Sequence, residues 1–469
     1  MIVATKTDPT LGFTSQDHET AFDALPVEGE LPRWLTGSLV RTGPAKFEVG
    51  DRPLRHWFDG LAMLHRYTFG GGEVSYGSRF LRSRAFRAAQ EKGELRYQEF
   101  ATDPCRSLFA RVSTLFRPAL SDNGVVNVSR VGDELIAMTE TPLPVVFDPR
   151  TLEAAGVAYE PPGVLTTAHP HHDPARKELV NFAAQLGPRS QYRFYAQRSR
   201  TEQRRLAQAT VREPAYVHSF GMTERYVILA EGPFVVNPLK LALSGRPYIE
   251  NYRWEPERGA RLLVFERDGG ALRGEYRTDA FFTFHHVNAF ERDGELVVDL
   301  SAYDDPSIVD ALYLDRLRAG NDIPKARLRR FRLDLDGGRV DGEELADTDL
   351  ELPRIDYRRR NGRPYRYVYG LAAHDQFVGR VVKVDVERGE HLDWSEDGCW
   401  AGEPVFVPEP GRDEEDAGVL LSVVLDAGRG ESFLLVLDAA TLEERARARV
   451  PHHVPFSFHG QFFGGELPD

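Results

Sequence analysis

Four histidines in similar short contexts are the residues of this chain best suited to chemistry. Each lies on or beside a run of β-branched or aromatic residues rather than in a charged segment, and the four are His169, His218, His285 and His459. Neutral imidazole is the commonest side-chain metal ligand, and several imidazoles without a thiolate suit Fe, Cu, Ni or Zn. A single histidine of this kind is more often structural than a ligand. The pattern therefore predicts a redox-metal centre only if the fold brings the four side chains together.

The elements that must position these histidines read mainly as short strands. Apolar runs of strand length, rich in Val, Ile and Leu, occupy residues 134–138, 226–230, 295–300 and 418–425. Helical periodicity is confined to residues 104–117 and 308–318, and the arginine-rich run 357–366 is typical of a turn between strands. The chain is therefore predicted to be all-β.

One pattern recurs along the chain: an apolar strand, an acidic residue, a turn and then a polar strand. The acidic residues in question are Asp148, Glu266, Asp334, Asp385 and Asp438. From Glu266 onward they are separated by 68, 51 and 53 residues, which approximates one four-stranded blade with its loops. This spacing favours a β-propeller. The alternative is that Asp and Gly simply mark hairpins, as they do in any all-β protein.

The histidines follow the same period once three glutamates are placed among them. In chain order the residues are Glu140, His169, His218, His285, Glu351, Glu403 and His459, at intervals of 29, 49, 67, 66, 52 and 56. In a propeller the innermost strand of each blade faces the central axis, so residues one blade apart can point at a common centre. The first interval fits this scheme least well.

Length, charge and cysteine content narrow the class of protein. The 469 residues contain no linker-like stretch, which favours one large domain over residues 1–469. The formal charge of -13 argues against a nucleic-acid binder. Two distant cysteines, Cys105 and Cys399, make neither a disulfide framework nor a zinc pair, so we expect a cytoplasmic protein. The first residues lack the apolar core of a secretory signal, and no apolar run is long enough to cross a membrane.

Motifs spread over most of the chain resemble one known family. They are Arg41-Thr-Gly-Pro44, His56-Trp-Phe-Asp-Gly60, Asp103-Pro-Cys-Arg106, Thr139-Glu140-Thr141, Thr167-Ala-His-Pro170, Phe284-His-His-Val-Asn-Ala-Phe-Glu291, Glu351-Leu-Pro-Arg-Ile-Asp-Tyr357, Tyr365-Arg-Tyr-Val-Tyr-Gly370, Gly402-Glu-Pro-Val-Phe-Val407 and Phe458-His-Gly460. Together, and in this order, they resemble the carotenoid cleavage oxygenases, in particular the animal-type branch.

This resemblance implies a seven-bladed propeller with a cap of loops and short helices over an axial Fe(II) site. The four iron ligands would be His169, His218, His285 and His459. Three glutamates, Glu140, Glu351 and Glu403, would accept hydrogen bonds from the ligand histidines and fix their orientation. The alternative for these glutamates is an exposed position at a strand end, where glutamate is usually found. No catalytic residue beyond the metal centre is implied.

The family reaction is the cleavage by O2 of a conjugated C=C bond in a carotenoid or apocarotenoid, giving aldehyde or ketone products. The polyene would lie in an apolar tunnel, for which Phe58, Phe284, Phe456 and Phe458 are candidates, each equally compatible with core packing. Stilbene-cleaving relatives carry a lysine where this chain has Thr139, which favours a carotenoid. An isomerising relative and a non-enzymatic propeller scaffold are the remaining alternatives.

Two apolar segments are candidates for peripheral membrane contact, which a membrane-borne polyene would require. Residues 104–118 place apolar side chains on one helical face beside arginines, and residues 235–243 form an apolar patch with one lysine. Ordinary packing of these segments on the propeller is the alternative.

Overall fold

Seven small antiparallel sheets are arranged as the blades of a propeller, which confirms the predicted all-β fold class. The computed structural model describes residues 8–102, 120–375 and 377–465. We number the blades 1 to 7 along the chain.

Each blade is built from strands that follow one another from the axis outward. Blade 1 contains Gly460–Gly464, Gly37–Lys46, Leu61–Gly70, Glu73–Phe80 and Ala21–Phe22; blade 2 contains Asn127–Val131, Glu134–Met138, Val145–Phe147 and Ala154–Val157; blade 3 contains Leu165–Thr166 with His171–Asp173, then Glu178–Gln185, Ser190–Gln197 and Gln203–Val211; blade 4 contains Gly221–Met222, Tyr226–Glu231, Ala260–Glu266 and Leu272–Thr278. Blade 5 contains Phe282–Arg292, Glu295–Tyr303, Arg327–Asp334 and Val340–Asp349; blade 6 contains Glu351–Arg354, Tyr367–His374, Phe377–Asp385 and Glu390–Trp394; blade 7 contains Cys399–Ala401 with Val405–Pro408, then Gly418–Asp426, Glu431–Asp438, Glu444–Val450 and Val27–Gly29.

Strands from both ends of the described chain close the ring. The innermost strand of blade 1 is Gly460–Gly464, which pairs with Gly37–Lys46, and the outermost strand of blade 7 is Val27–Gly29. This closure brings His459, directly before Gly460, to the axis beside residues that precede it by hundreds of positions.

The blades bury both faces of their strands against neighbouring blades. All six residues of Tyr226–Glu231 are buried, as are eight of the nine residues of Glu295–Tyr303. A strand that is covered on both faces has no face exposed to solvent, so its sequence is a continuous apolar run rather than an alternation of apolar and polar residues. This burial explains why these strands could be predicted from apolar runs alone.

The recurring acidic residues mark the same hairpin in five blades. Each lies between the third and fourth strands, in blades 2, 4, 5, 6 and 7. In four of the hairpins the Oδ1 atom of the aspartate accepts two backbone N–H groups of the turn; these residues are Asp148, Asp334, Asp385 and Asp438. The aspartate side chain thus stabilises the turn directly, which explains why it recurs at the same place in these four blades.

Longer connections form a cap at one end of the propeller. Strand directions alternate within a blade, so the connections between second and third strands emerge at the end opposite the acidic hairpins. Those of blades 1, 4 and 5, residues 47–60, 232–259 and 304–326, carry most of the short elements there. Among the described residues, the helices of the cap are Arg84–Lys92, Pro238–Ser244, Ser307–Ala311 and Leu314–Arg318; its 3₁₀ turns are Pro9–Phe13, Trp57–Asp59, Ile249–Asn251 and Pro256–Arg258; its short strand pairs are Glu48–Val49 with Arg52–Pro53 and Phe234–Val236 with Tyr252–Trp254. The helix Tyr357–Arg360 follows the innermost strand of blade 6 and lies at the opposite end of the propeller.

The two predicted helices have different outcomes. The segment 308–318 forms two short helices rather than one, because the backbone of Tyr313 is extended and pairs with His56. The segment 104–117 lies outside the described residues, as does Cys105. The run 357–366 connects two strands as predicted, and it begins with the helix Tyr357–Arg360.

Candidate metal centre

The four histidines lie on or next to the innermost strands of four blades. His169 occupies the gap between the two short strands of blade 3, and His218 precedes the innermost strand of blade 4. His285 lies within Phe282–Arg292, whose pairing register shifts on either side of His286. His459 precedes the innermost strand of blade 1. These interruptions let the imidazoles leave the regular strand alternation and reach the axis.

The four imidazoles meet through their Nε2 atoms. His169 Nε2 lies 3.0 Å from His218 Nε2, and His285 Nε2 lies 3.1 Å from His459 Nε2. One nitrogen from each of the four rings lies within 4.8 Å of the others. The fold therefore brings together all four histidines that the sequence singled out.

Three of the four rings are oriented by a glutamate on the opposite nitrogen. The Nδ1 atom of His218 donates to Glu140 Oε1 at 2.6 Å, that of His285 to Glu351 Oε2 at 2.5 Å, and that of His459 to Glu403 Oε1 at 2.6 Å. The fourth ring, His169, has no carboxylate partner among residues 8–102, 120–375 and 377–465. The three predicted glutamates are therefore in contact with the histidines, and none is at an exposed strand end.

Glu140 also explains the short first interval of the sequence pattern. It follows the second strand of blade 2, whereas Glu351 begins the innermost strand of blade 6 and Glu403 lies in the gap of the innermost strand of blade 7. A residue that follows the second strand of a blade is separated from the innermost strand of the next blade by fewer positions than a residue on its own innermost strand is. The spacing between Glu140 and His169 is therefore shorter than one blade.

The protonation of the rings fits a bound cation. Burial lowers the pKa of His459 to about 4, and burial also lowers the pKa of His218 and of His169. A neutral ring that donates from Nδ1 has an unprotonated Nε2, so the Nε2 lone pairs of His285 and His459 face each other across 3.1 Å. A metal ion among the four nitrogens would accept these lone pairs and remove their repulsion. This donor set, four imidazoles without a thiolate, suits Fe(II).

Two arginines hold the carboxylate of Glu403. Arg354 Nε lies 3.0 Å from Glu403 Oε1, and a terminal nitrogen of Arg41 lies 3.6 Å from Oε2. Burial alone would raise the pKa of Glu403, but the charge of Arg354, the contact with His459 and the charge of Arg41 hold it at about 2. The backbone N–H of Gly460 also donates to Oε2 at 3.0 Å. Glu403 is therefore an ionised carboxylate, and each of its two oxygens has hydrogen-bond or ion-pair partners.

The other two glutamates have different partners. The hydroxyl of Tyr216 donates to Glu140 Oε1 at 2.5 Å, the same oxygen that accepts from His218. Glu351 Oε2 accepts the backbone N–H of Leu352 at 2.8 Å, and Leu352 has a positive φ of 50°. This backbone conformation is rare for a non-glycine residue, and here it turns the strand so that its own amide reaches the carboxylate.

Aromatic rings cover the capped side of the histidine group. The ring of Phe284 lies 4.9 Å from that of His218, and the ring of Phe58 lies 6.2 Å from His218 and 4.9 Å from Phe458. Phe456 lies farther out, with its ring 5.2 Å from Phe13 and 5.0 Å from Phe377. Three of the four candidate tunnel residues therefore form one cluster beside the histidines, and Phe456 packs within the apolar core.

The motif His56-Trp-Phe-Asp-Gly60 fixes the position of Phe58. His56 Nδ1 accepts the backbone N–H of Phe58 at 3.1 Å, and its Nε2 donates to the carbonyl of Val309 at 3.0 Å. Asp59 accepts the backbone N–H groups of His56 and Ala101. These buried bonds tie the loop of blade 1 to the rest of the cap, so Phe58 is held against the site by backbone contacts.

Five histidines that lie near the four candidates in the sequence have other partners. His171 contacts the hydroxyl of Tyr357 and the carbonyl of Phe220. His286 contacts the hydroxyl of Ser219, away from the group that its neighbour His285 joins. The remaining three, His172, His452 and His453, contact Ser129, Gln16 and Thr14 respectively.

Sequence reasoning missed Arg41, Arg354 and Tyr216. Arg41 and Arg354 lie inside motifs that carried the resemblance, but arginine in a motif gives no signal that it pairs with a distant buried glutamate. Tyr216 lies two residues before His218, a spacing that places two strand residues on the same face and could have indicated a shared partner.

Comparisons with known proteins assign the chain to a family. The model of the family described as retinal pigment epithelial membrane protein, RPE65, matches residues 13–464. The carotenoid isomerooxygenase of Galleria mellonella is 35% identical, with 93% of this chain and 92% of that protein covered. The β,β-carotene 15,15′-dioxygenase of Gallus gallus is 32% identical, with 93% and 94% covered. The crystal structure of cobalt-substituted Synechocystis ACO, an apocarotenoid oxygenase, has a TM-score of 0.88 at 30% identity and covers 97% of this chain and 98% of its own. The chain belongs to the RPE65/carotenoid oxygenase family.

Proposed function

We propose that this protein is a non-haem Fe(II) dioxygenase that cleaves a conjugated C=C bond of a carotenoid or apocarotenoid to aldehyde or ketone products. The observation that carries the proposal is the convergence of four Nε2 atoms beneath an aromatic cluster. The proposed ligands are His169, His218, His285 and His459, oriented by Glu140, Glu351 and Glu403.

The four imidazoles would hold Fe(II), which when bound would supply the activation of O2. The task of the protein is to hold the rings and the substrate in place. Glu140, Glu351 and Glu403 fix the tautomers of three histidines, so that each presents an Nε2 lone pair to the axis. No proton transfer by a side chain is required.

An aromatic path leads from a cavity in the cap to the histidines. The cavity has a volume of about 520 Å³, and its lining includes Phe234 and Tyr252. Ring centroids are 6.3 Å apart between Phe234 and Tyr216, and 6.2 Å apart between Tyr216 and Phe284. Phe284 in turn contacts His218. A rigid, uncharged polyene suits such a path, because π faces favour any cationic character that develops along it.

A second candidate is an isomerising oxygenase that uses the same site. The Galleria mellonella relative is named a carotenoid isomerooxygenase, at the same 35% identity as the human carotenoid-cleaving dioxygenase. A stilbene substrate is disfavoured, because Thr139 stands where stilbene-cleaving relatives have a lysine.

We also propose that the segment 235–243 contacts a membrane surface, from which the polyene would enter. The helix Pro238–Ser244 exposes Leu239 and Leu243, at 69% and 67% of their surface, four residues apart on one face. It packs beside the turn Ile249–Asn251, which lines the cap cavity. The helices of the described part of the chain are too short or too polar to cross a bilayer. The other candidate segment, 104–118, lies outside that part.

Product analysis with isotopically labelled O2 tests the proposed function. Purified protein loaded with Fe(II) is incubated with a panel of carotenoids, apocarotenals and stilbenes, and the products are identified by mass. We expect carbonyl products from a carotenoid or apocarotenal that carry label, and loss of turnover in His218→Ala but not in His391→Ala, which changes an exposed histidine. Cleavage of stilbenes alone would contradict the substrate class, and unlabelled isomers as the sole products would contradict the oxygenase.

A further inference from the structure

A large cavity opens at the end of the propeller opposite the cap. Its volume is about 870 Å³, within the range typical of small-molecule sites. Its walls come from the ends of innermost strands, such as Val405–Pro408 and Gly460–Gly464, and from the connection that follows Glu351–Arg354 in blade 6. The proposed polyene path lies at the other end of the axis, so this cavity has no role in it.

The lining of this cavity is basic in a chain whose net charge is -13. Seven arginines and three acidic residues line it. Two of the acids are already neutralised, because Asp173 pairs with Arg267 at 2.5 Å and Asp356 pairs with Arg359. The third, Glu224, forms no ion pair within the part of the chain that the structure covers. Arg130, Arg176 and Arg354 also pair with carboxylates outside the lining, but the arginines that line the cavity outnumber the acidic residues that line it.

Two of these arginines have no partner in the described structure. The guanidinium groups of Arg358 and Arg363 have neither an ion pair nor a side-chain hydrogen bond with any residue that the structure describes. Both are exposed at the cavity wall, where Arg358 lies within the helix Tyr357–Arg360 and Arg363 follows three residues after its end. A guanidinium binds a carboxylate, sulfonate or phosphate through two parallel N–H groups, which gives an oxyanion both charge and direction.

Aromatic side chains line the same cavity. Trp34, Phe462 and Phe463 are partly exposed there, where most large aromatic side chains of the fold are buried. Flat apolar surfaces next to unpaired guanidinium groups suit a ligand with an apolar body and one anionic end. A carotenoid hydrocarbon and its aldehyde products have no such end.

We propose that this cavity binds an amphipathic oxyanion, with its apolar body against Trp34 and Phe462 and its anionic group on Arg358 and Arg363. Arg354 also lines the cavity and pairs with Glu403, so the bound molecule would lie one side chain away from the histidine group. The proposal is independent of which polyene the enzyme cleaves.

Fluorescence of 1-anilinonaphthalene-8-sulfonate, which has an aromatic body and one sulfonate, tests the site on the iron-loaded protein. We expect saturable binding that weakens about tenfold or more in R358Q/R363Q, since each arginine contributes a charge-assisted hydrogen bond. Energy transfer from Trp34 to the probe should fall in Trp34→Phe. The matched control R205Q/R212Q, which removes two exposed charges at residues that do not line the cavity, should bind the probe as the unchanged protein does. Equal affinity in R358Q/R363Q would overturn the proposal.

Competition separates this site from the polyene path and from simple apolar binding. Octanoate should displace the probe, whereas octanol, which has the same chain without the charge, should not. Displacement by octanol as effective as by octanoate would overturn the anionic preference. Displacement of the probe by an apocarotenal would place it in the cap cavity and would also overturn the proposal.

Discussion

Arg354 Nε lies 3.0 Å from Glu403 Oε1, the same oxygen that accepts the Nδ1–H of His459 at 2.6 Å. One carboxylate oxygen therefore joins a guanidinium to a candidate metal ligand. Among the described residues, the carboxylates of Glu140 and Glu351 form no ion pair with an arginine or lysine; their further partners include the hydroxyl of Tyr216 and the amide of Leu352. The three His–Glu pairs are thus chemically different, although the sequence presents them as equivalent.

Removal of Arg354 should weaken metal binding. Arg354 orients Glu403 and also donates to the carbonyl of Gly460, the residue after His459, so its loss loosens this ring. We expect Arg354→Gln to lower the affinity for Fe(II) by about 10- to 100-fold, as is typical when a partner of a ligand is lost. Arg354→Lys, which keeps the charge, should retain part of the affinity for Fe(II), and Arg358→Gln should leave that affinity unchanged. Titration with Fe(II) under anaerobic conditions measures this, and full affinity in Arg354→Gln would contradict the assigned role.

Glu140 and Tyr216 should contribute unequally to the same histidine. Glu140→Gln removes the carboxylate that fixes the tautomer of His218, so we expect metal affinity to fall by about 10- to 100-fold. Tyr216→Phe leaves the bond between Glu140 and His218 intact and should cost less. The visible spectrum of the Co(II)-substituted protein should change in both variants. A larger loss in Tyr216→Phe than in Glu140→Gln would show that the hydroxyl, not the carboxylate, orients the ring.

Phe58 should affect the substrate but not the metal. Its ring is half-buried between those of Phe284 and Phe458, beside His218. Phe58→Ala removes apolar contact surface worth about 1.5–3 kcal/mol, so kcat/KM for the polyene should fall by about 10- to 100-fold. Iron content should be unchanged. Phe22→Ala, which removes a partly buried ring on the outer strand of blade 1, is the control. Unchanged kcat/KM in Phe58→Ala would assign this ring to packing alone.

The iron-free protein should lose stability in mild acid because of buried neutral histidines. Burial lowers the pKa of His65 to about 3, and the charges of His452 and Arg41 add to the shift. The unfolded chain binds this proton near pH 6.5, so the free energy of unfolding falls from about pH 6.5 towards pH 3, by up to about 1.4 kcal/mol per pH unit. Urea unfolding between about pH 7 and pH 4 measures the slope. The free energy of unfolding should depend less steeply on pH in His65→Gln, and as steeply as in the unchanged protein in His391→Gln, which alters an exposed histidine. Equal slopes in all three proteins would contradict the assignment of this pH dependence to His65.

Two exposed leucines should govern contact with vesicles. Leu239 and Leu243 are 69% and 67% exposed, and their replacement by serine should reduce co-sedimentation with phospholipid vesicles without a change in iron content. The matched control replaces Leu272 and Leu392, which are 53% and 48% exposed on outer blade strands. Equal binding by both double variants would remove this helix from the membrane proposal.

The sequence was informative where one local feature decides the structure. Asp148 and three counterparts could be recognised because an aspartate that caps its own turn recurs in four of the seven equivalent hairpins. The four histidines could be singled out because each lies on or beside a run of β-branched or aromatic residues. Blades 1 and 7 each combine strands from both ends of the described chain. This ring closure supports the proposal of one domain over residues 1–469.

Features that depend on distant contacts could not be predicted. Nothing near Arg41 indicates that it lies 3.6 Å from a glutamate 362 positions away. The break at Tyr313 results from its pairing with His56, which no helical periodicity encodes. The role of Phe456 likewise depends on Phe13 and Phe377, which come from other parts of the chain.

Anomalous diffraction at the iron edge, from crystals of protein loaded with Fe(II), locates the metal. We expect one peak per chain among the Nε2 atoms of His169, His218, His285 and His459, and none in crystals of His218→Ala grown in the same way. A peak elsewhere, or none in the loaded protein, would contradict the proposal that these four histidines bind the iron.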